Sequence, residues 1–97
     1  MKVRWSTAAN RHLDEIVEYI AFDSPAAALR MDDLLRDAAR RLADFPNLGK
    51  PGAIAGTREL IPHRSYRIVY EIDDDLVRIL AVVHTSRLWP PFSGEDD

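Results

Sequence analysis

Two hydrophobic periods divide the chain. Between residues 9 and 45 apolar side chains return every three or four positions, the spacing of one helix face; from residue 57 onward they return every second position, the spacing of one strand face. In the first part Ala9, Leu13, Ile16, Val17 and Ile20 make a stripe, with Arg11, Asp14, Glu15 and Glu18 outside it. Ser6 or Thr7 is the predicted N-cap, and the helix is expected to stop near Phe22 or Asp23. Ser24-Pro25 restarts it, with serine as cap and proline at the first helical position. The second stripe runs Met31, Leu35, Ala38, Leu42, Phe45 and is closed by Pro46. So short a joint predicts an αα-hairpin. The heptad spacing would also suit a coiled-coil dimer, but at most three heptads are present, and packing on a sheet is the preferred reading.

In the second part, residues 65–72 (SYRIVYEI) and 76–84 (LVRILAVVH) are rich in β-branched and aromatic side chains and flank a turn centred on Asp74 and Asp75. That turn predicts a hairpin in which Ile72 faces Val77, Tyr70 faces Ile79, Ile68 faces Ala81 and Tyr66 faces Val83, an entirely apolar face. The other face would pair Glu71 with Arg78, Val69 with Leu80, Arg67 with Val82 and Ser65 with His84, leaving Arg67 and His84 diagonal neighbours. Residues 2–5 read as a short edge strand with Val3 and Trp5 on one side. Residues 57–61 (TRELI) read as another, with Arg58 and Leu60 on one side and Glu59 and Ile61 on the other. Pro62-His63-Arg64 turns the chain into the hairpin. Residues 46–56 (PNLGKPGAIAG) are a loop by composition. Gly49-Lys50 is not a phosphate loop, because Asp44 and Pro51 stand where that motif requires glycine and Ser or Thr. The fold class is α+β, in the order β-α-α-β-β-β, with an N-terminal helical hairpin packed on an antiparallel sheet. Residues 1–91 are expected to form one domain and 92–97 a flexible acidic tail.

Composition narrows the function classes. The chain has 97 residues, 46% of them hydrophobic and 30% charged, and no cysteine, which describes one globular domain without disulfides or thiolate metal ligands. No apolar run is long enough to span a membrane and no signal-peptide core is visible, so a cytoplasmic location is expected. The formal net charge is −3, the amount that Glu95, Asp96 and Asp97 carry alone. Lys50, Arg58, Arg64, Arg67 and His63 crowd a stretch opposed only by Glu59. That stretch suits phosphate or an acidic partner; the plain alternative is a solvated strand face. Overall acidity argues against sequence-independent nucleic-acid binding, and there is no basic recognition helix, so no direct DNA binding is expected of the chain alone.

Four segments, in order, resemble the RelE/ParE toxin superfamily: Gly49-Lys50-Pro51-Gly52, Gly56-Thr57-Arg58-Glu59-Leu60, Tyr66-Arg67-Ile68-Val69-Tyr70, and His84-Thr85-Ser86-Arg87-Leu88-Trp89-Pro90. The resemblance extends from Val3 to Pro90. It implies a small toxin encoded with an antitoxin that wraps it, using no cofactor or metal. RelE-like members cut mRNA on the ribosome; ParE-like members poison DNA gyrase. Cleavage by attack of a ribose 2′-OH needs that oxygen deprotonated and the phosphate neutralised. By resemblance, Arg67 matches the family's strand arginine, Arg87 falls near its C-terminal one, and Lys50 and Arg58 stand at its basic loop and strand positions. The proton-transferring tyrosine of the RelE pattern is absent, since Leu88, Trp89, Pro90 and Pro91 follow Arg87. A nuclease would therefore rest on Arg67, Arg87 and His84, an imidazole being a suitable base at neutral pH; a hydrogen-bonded structural histidine is the plain alternative. A gyrase-directed toxin would bind through Lys50, Arg58, Arg64, Arg67, Arg87 and Trp89, although Trp89 also suits simple packing of the C-terminal segment. Tyr66 and Tyr70 belong to the core face. The ParE-like reading is preferred, with the antitoxin across a groove by the helices and along a sheet edge. Arg67→Ala is expected to leave folding intact, since the residue sits on the non-core face, and to reduce toxicity.

Overall fold

The computed structural model describes residues 1–90, so the tail expected at 92–97 lies outside the described residues. Strand β1 (Lys2–Trp5) leads into helices α1 (Thr7–Ala21) and α2 (Pro25–Arg41), followed by strands β2 (Lys50–Pro51), β3 (Arg58–His63), β4 (Tyr66–Asp73) and β5 (Leu76–His84). The five strands form one sheet in the order β1-β5-β4-β3-β2. The sheet is mixed rather than antiparallel throughout, because β1 runs parallel to β5 with Val3 opposite Val77 and Trp5 opposite Ile79. The two-residue β2 lies inside the stretch expected to be loop and pairs with β3 through Lys50 and Glu59.

The helix starts follow their caps. The Ser6 side chain accepts from the Ala9 N–H, and that of Ser24 accepts from the Ala27 N–H with Pro25 at the first helical position. Helix α2 stops at Arg41 rather than running to Pro46. The Leu42 N–H turns back to the Ala39 and Arg40 carbonyls, and the Ala43 carbonyl accepts from the N-terminal ammonium at 3.0 Å. Phe45, expected on the buried stripe, is 59% exposed as a result. Ala9 and Leu13 of α1, with Leu35, Ala38, Ala39 and Leu42, are buried against Tyr66, Ile68, Tyr70, Val77, Ile79 and Val82 of the sheet.

The β4–β5 hairpin turns at Asp74 and Asp75, with Asp74 at φ 56°, a left-handed conformation that aspartate tolerates better than most residues. Next to the turn the expected register holds: Ile72 faces Val77, Glu71 faces Arg78 and Tyr70 faces Ile79. Beyond Tyr70 it shifts by one. Val69 faces Ala81, Ile68 faces Val82, Arg67 faces Val83 and Tyr66 faces His84. Leu80 is therefore the extra residue of a β-bulge, the device by which a strand changes which side chains it presents to each face. Val82 enters the main core, while Ala81 and Val83 join Val69 and Trp89 in a second apolar cluster on the other face. The bulge lies where β1 hands over to α1. The Ser6 N–H donates to the Ile79 carbonyl at 2.9 Å and its hydroxyl to the Leu80 carbonyl at 3.3 Å.

Tyr70 fastens the loop before β2. Its hydroxyl donates to the Pro46 carbonyl at 2.6 Å and accepts from the Gly49 N–H at 2.9 Å. A Cβ on Gly49 would stand 2.8 Å from the Tyr70 ring and from the Glu59 carbonyl, so only glycine fits this approach. Tyr70→Phe is expected to lower stability by about 1–3 kcal/mol by stranding both partners. Urea unfolding should show the midpoint falling with an unchanged slope; an unmoved midpoint would mean that the loop is not held this way.

Candidate functional site

The sheet has two faces with different chemistry. On the face away from the helices, Glu59 of β3 sits opposite Val69 of β4, which brings its carboxylate beside Arg67 two positions earlier. Arg67 donates from one Nη to Glu59 Oε1 at 2.9 Å, and the Ala53 N–H donates to Glu59 Oε2 at 3.0 Å. Glu59 is only 4% exposed and the Arg67 side chain 21%. The second Nη of Arg67 reaches the Thr85 carbonyl at 3.5 Å. Trp89 covers Val69, Ala81 and Val83 on this same face. Arg58 is committed as well, donating to the Gly49 carbonyl at 2.9 and 2.6 Å and to that of Asn47 at 3.3 Å. The basic stretch is thus not one open patch. Arg58 and Arg67 are engaged within the fold, and Lys50 and Arg64 are exposed at separate points.

His84 lies elsewhere. The bulge at Leu80 moves it opposite Tyr66, on the face that carries the helices, so the expected adjacency of Arg67 and His84 does not occur: they project from opposite faces of the sheet. The His84 ring stands edge-on to Tyr66 with centroids 5.2 Å apart. Its Nδ1 accepts from the Ser86 N–H at 3.1 Å and lies 2.7 Å from the Ser86 hydroxyl.

Around His84 opens a groove of about 660 Å³. Helix α1 supplies one wall through His12, Glu15, Ile16 and Tyr19; Tyr66 and Val82 form the floor; His84, Arg87, Leu88 and Trp89 form the opposite wall. His12 Nδ1 accepts from the Val82 N–H at 3.3 Å and so covers the edge of β5 past the end of β1. Burial lowers the His12 pKa from its ordinary value; Arg11 acts in the same direction and Glu15 opposes it. Burial, reinforced by Tyr19, raises that of the Tyr66 phenol, which stays neutral near pH 7. Two of the groove's lining residues are apolar and open, Tyr19 at 79% exposed and Leu88 also exposed; Phe22, 94% exposed, stands three positions beyond Tyr19 at the end of α1. A groove of this size, with aromatic walls and one cation in Arg87, suits a peptide side chain or short segment better than a bare anion.

Of the residues named from sequence, then, Arg87, His84 and Trp89 line one groove, Arg67 sits on the opposite face with Glu59, and Lys50, Arg58 and Arg64 are dispersed. Sequence reasoning missed Glu59 as a partner and missed His12 and Tyr19 as groove walls. Glu59 was within reach: on β3 it faces the same side as Ile61, and pairing β3 with β4 would have set it beside Arg67. His12 carried no such signal, because its partner lies seventy positions away.

Comparison with known proteins points to the toxins of type II toxin-antitoxin systems. Residues 3–89 match the family described as ParE toxin of type II toxin-antitoxin system, parDE. The chain is 43% identical over 90 residues to "Putative toxin Y4kP" of Sinorhizobium fredii, covering 92% of this chain and 93% of that protein. It is 40% identical over 87 residues to "Toxin RelE2" of Caulobacter vibrioides, covering 90% and 98%. Among solved structures, the fold resembles the chromosomal ParDE system from P. aeruginosa, with a TM-score of 0.77 at 22% identity over 87% of this chain and 95% of that one. It also resembles the YoeB/ParE toxin from Agrobacterium tumefaciens, with a TM-score of 0.61 at 21% identity over 87% and 98%.

The Glu59–Arg67 pair changes what Arg67→Ala should do. Removing the guanidinium leaves a carboxylate that water barely reaches, so the variant should lose about 2–3 kcal/mol, less than the roughly 3–5 kcal/mol of a wholly buried pair because Arg67 keeps some solvent contact. Glu59→Ala combined with Arg67→Ala should lose less than the sum of the two single changes, which a four-protein denaturation cycle measures. A fully stable Arg67→Ala would show the pair to be incidental.

Proposed function

Because the chain belongs to the ParE toxin family of type II toxin-antitoxin systems, we propose that it arrests growth by capturing DNA gyrase, without bond chemistry of its own, and that a cognate antitoxin in the cytoplasm holds it silent. One observation carries this choice: Arg67, Arg87 and His84, the three residues on which a nuclease was expected to rest, are not brought together. Cleavage of a phosphodiester requires a base and a phosphate-neutralising cation around one phosphorus. Here Arg67 is spent on Glu59 on one face of the sheet, and His84 stands on the other with its Nδ1 already accepting a backbone N–H. A binding toxin has no such requirement. It needs exposed contact groups, and Lys50, Arg64, Arg87, Tyr19, Phe22 and Leu88 provide them.

A second reading keeps a specific footing. His84 and Arg87 line the same groove beside the neutral Tyr66 phenol, and one relative is named Toxin RelE2. In that reading the ribosome and its mRNA are the target, cleavage needs only the groove, and Arg67 is structural.

Brief induction without antitoxin, following DNA and protein synthesis separately with labelled precursors, distinguishes the two. DNA synthesis should fall first. Protein synthesis falling first would overturn the gyrase proposal and make His84 the residue to substitute. For the antitoxin, the proposed seat is the groove and its apolar rim along α1, where an amphipathic segment would cover Tyr19, Phe22 and Leu88. Hydrogen exchange with and without antitoxin should show added protection in α1 and along β5; unchanged protection at both would place the antitoxin elsewhere.

A further inference from the structure

The chain has three histidines, and the fold brings all of them to one end of the sheet. His63 closes β3, His84 closes β5, and His12 reaches across from α1. Tyr66 stands among them: its ring centroid is 6.2 Å from that of His63 and 5.2 Å from that of His84, and it lines the same groove as His12. The three imidazoles also do the same thing. His63 Nδ1 accepts from the Ser65 N–H at 3.1 Å, His84 Nδ1 from the Ser86 N–H at 3.1 Å, and His12 Nδ1 from the Val82 N–H at 3.3 Å. The first two tie the turn between β3 and β4 and the turn leaving β5. The third ties α1 to the edge of β5 where β1 no longer covers it.

An imidazole nitrogen that accepts a hydrogen bond carries no proton, so each contact requires the neutral ring with its proton on Nε2. Protonation replaces the lone pair with an N–H aimed at another N–H, and the contact becomes repulsive. We propose that His12, His63 and His84 form an acid-sensitive latch that holds this end of the sheet, and with it the floor and one wall of the groove, closed at neutral pH and releases it on mild acidification. The surroundings do little to hold charged rings in place. Arg11 and Glu15 lie beside His12 on α1, and Arg87 faces it across the groove; Arg64 adjoins His63; Tyr66 packs on both His63 and His84 and is neutral. Among the described groove-lining residues Glu15 is the only carboxylate, set against Arg87.

The direction follows from linkage. His12 binds its proton less readily folded than unfolded, so the stabilisation it gives is complete above the ordinary value near pH 6.5 and is lost as pH falls through and below it. The His12 contact therefore weakens by up to tenfold per pH unit below that value, and the His63 and His84 contacts share its geometry, with Nδ1 accepting a backbone N–H.

Long-range proton–nitrogen NMR of the isolated 97-residue chain reads the tautomers directly. All three rings should be Nε2–H at pH 7.5. On lowering the pH to 5.5, amide protection at Ser65, Val82 and Ser86, corrected for intrinsic exchange, should fall tenfold or more. The triple variant His12→Asn, His63→Asn, His84→Asn offers a side-chain oxygen acceptor that does not titrate in this range, and should hold that protection flat. Finding any of the three protons on Nδ1 at pH 7.5 overturns the proposal, as does protection that stays constant while the rings titrate. If the triple variant does not fold, these two readings on the unmodified chain decide alone.

Discussion

The bulge at Leu80 sets the geometry of the molecule. Strand β1 is four residues long and β5 is nine, so β5 outruns its parallel neighbour and must be covered along its remaining edge by something else. Helix α1 provides the cover, and the handover happens at Ser6. Its N–H and hydroxyl bond the Ile79 and Leu80 carbonyls of the sheet while its oxygen caps the helix. One residue thereby joins the end of a strand, the start of a helix and the irregularity in a third element. After the bulge every side chain of β5 faces the opposite way from the expected register. Val82 is delivered to the core, His84 to the groove, and Ala81 and Val83 to the face beneath Trp89.

That shift explains what was legible in the sequence. The helical stripes as far as Leu42, the Ser6 and Ser24 caps, the restart at Pro25 and the turn at Asp74 and Asp75 are local signals, and each appears in the structure where its residues place it. The register near the turn was legible for the same reason. Past Tyr70 it was not, because Leu80, Ala81, Val82 and Val83 are all apolar. Alternation specifies a register only where one face is polar, and here both faces bury side chains, one under the helices and one under Trp89. The parallel pairing of β1 was hidden too, since it joins residues more than seventy positions apart. The end of α2 was misjudged because Phe45 continues the spacing; the chain turns away at Leu42 to meet the N-terminus, a contact that periodicity does not encode.

The candidate site divides along the same line. Arg67 drew notice as a cation on an outward face, but its partner is a carboxylate from the neighbouring strand β3. Glu59, Arg67, Arg58 and Tyr70 all act on the segment between α2 and β3. Glu59 holds the Ala53 amide, Arg58 holds the Asn47 and Gly49 carbonyls, and Tyr70 holds Pro46 and Gly49. Much of the basic stretch is therefore invested in shaping a loop that has little apolar surface of its own to bury. A charged group used in this way is a poor candidate for phosphate contact, because a bound anion would have to displace Glu59 and leave that carboxylate without its cation in a place water barely reaches.

The groove offers the contrast. Among the described residues its aromatic walls carry no ion pair that a partner would have to break, so a segment that covers Tyr19 and Leu88, and Phe22 beyond them on α1, gains burial of apolar surface at about 25 cal/mol per Å². Its two imidazoles fix the groove's shape through backbone bonds rather than through charge, and the Tyr66 phenol beside them is neutral. The two faces thus differ in what they are prepared to do. The arginine face is internally neutralised and committed to the fold, whereas the helix side is apolar, open and held by contacts that do not compete with a ligand. Recognition by this chain is best sought on the helix side, and substitutions on the arginine face should be judged first by what they do to folding.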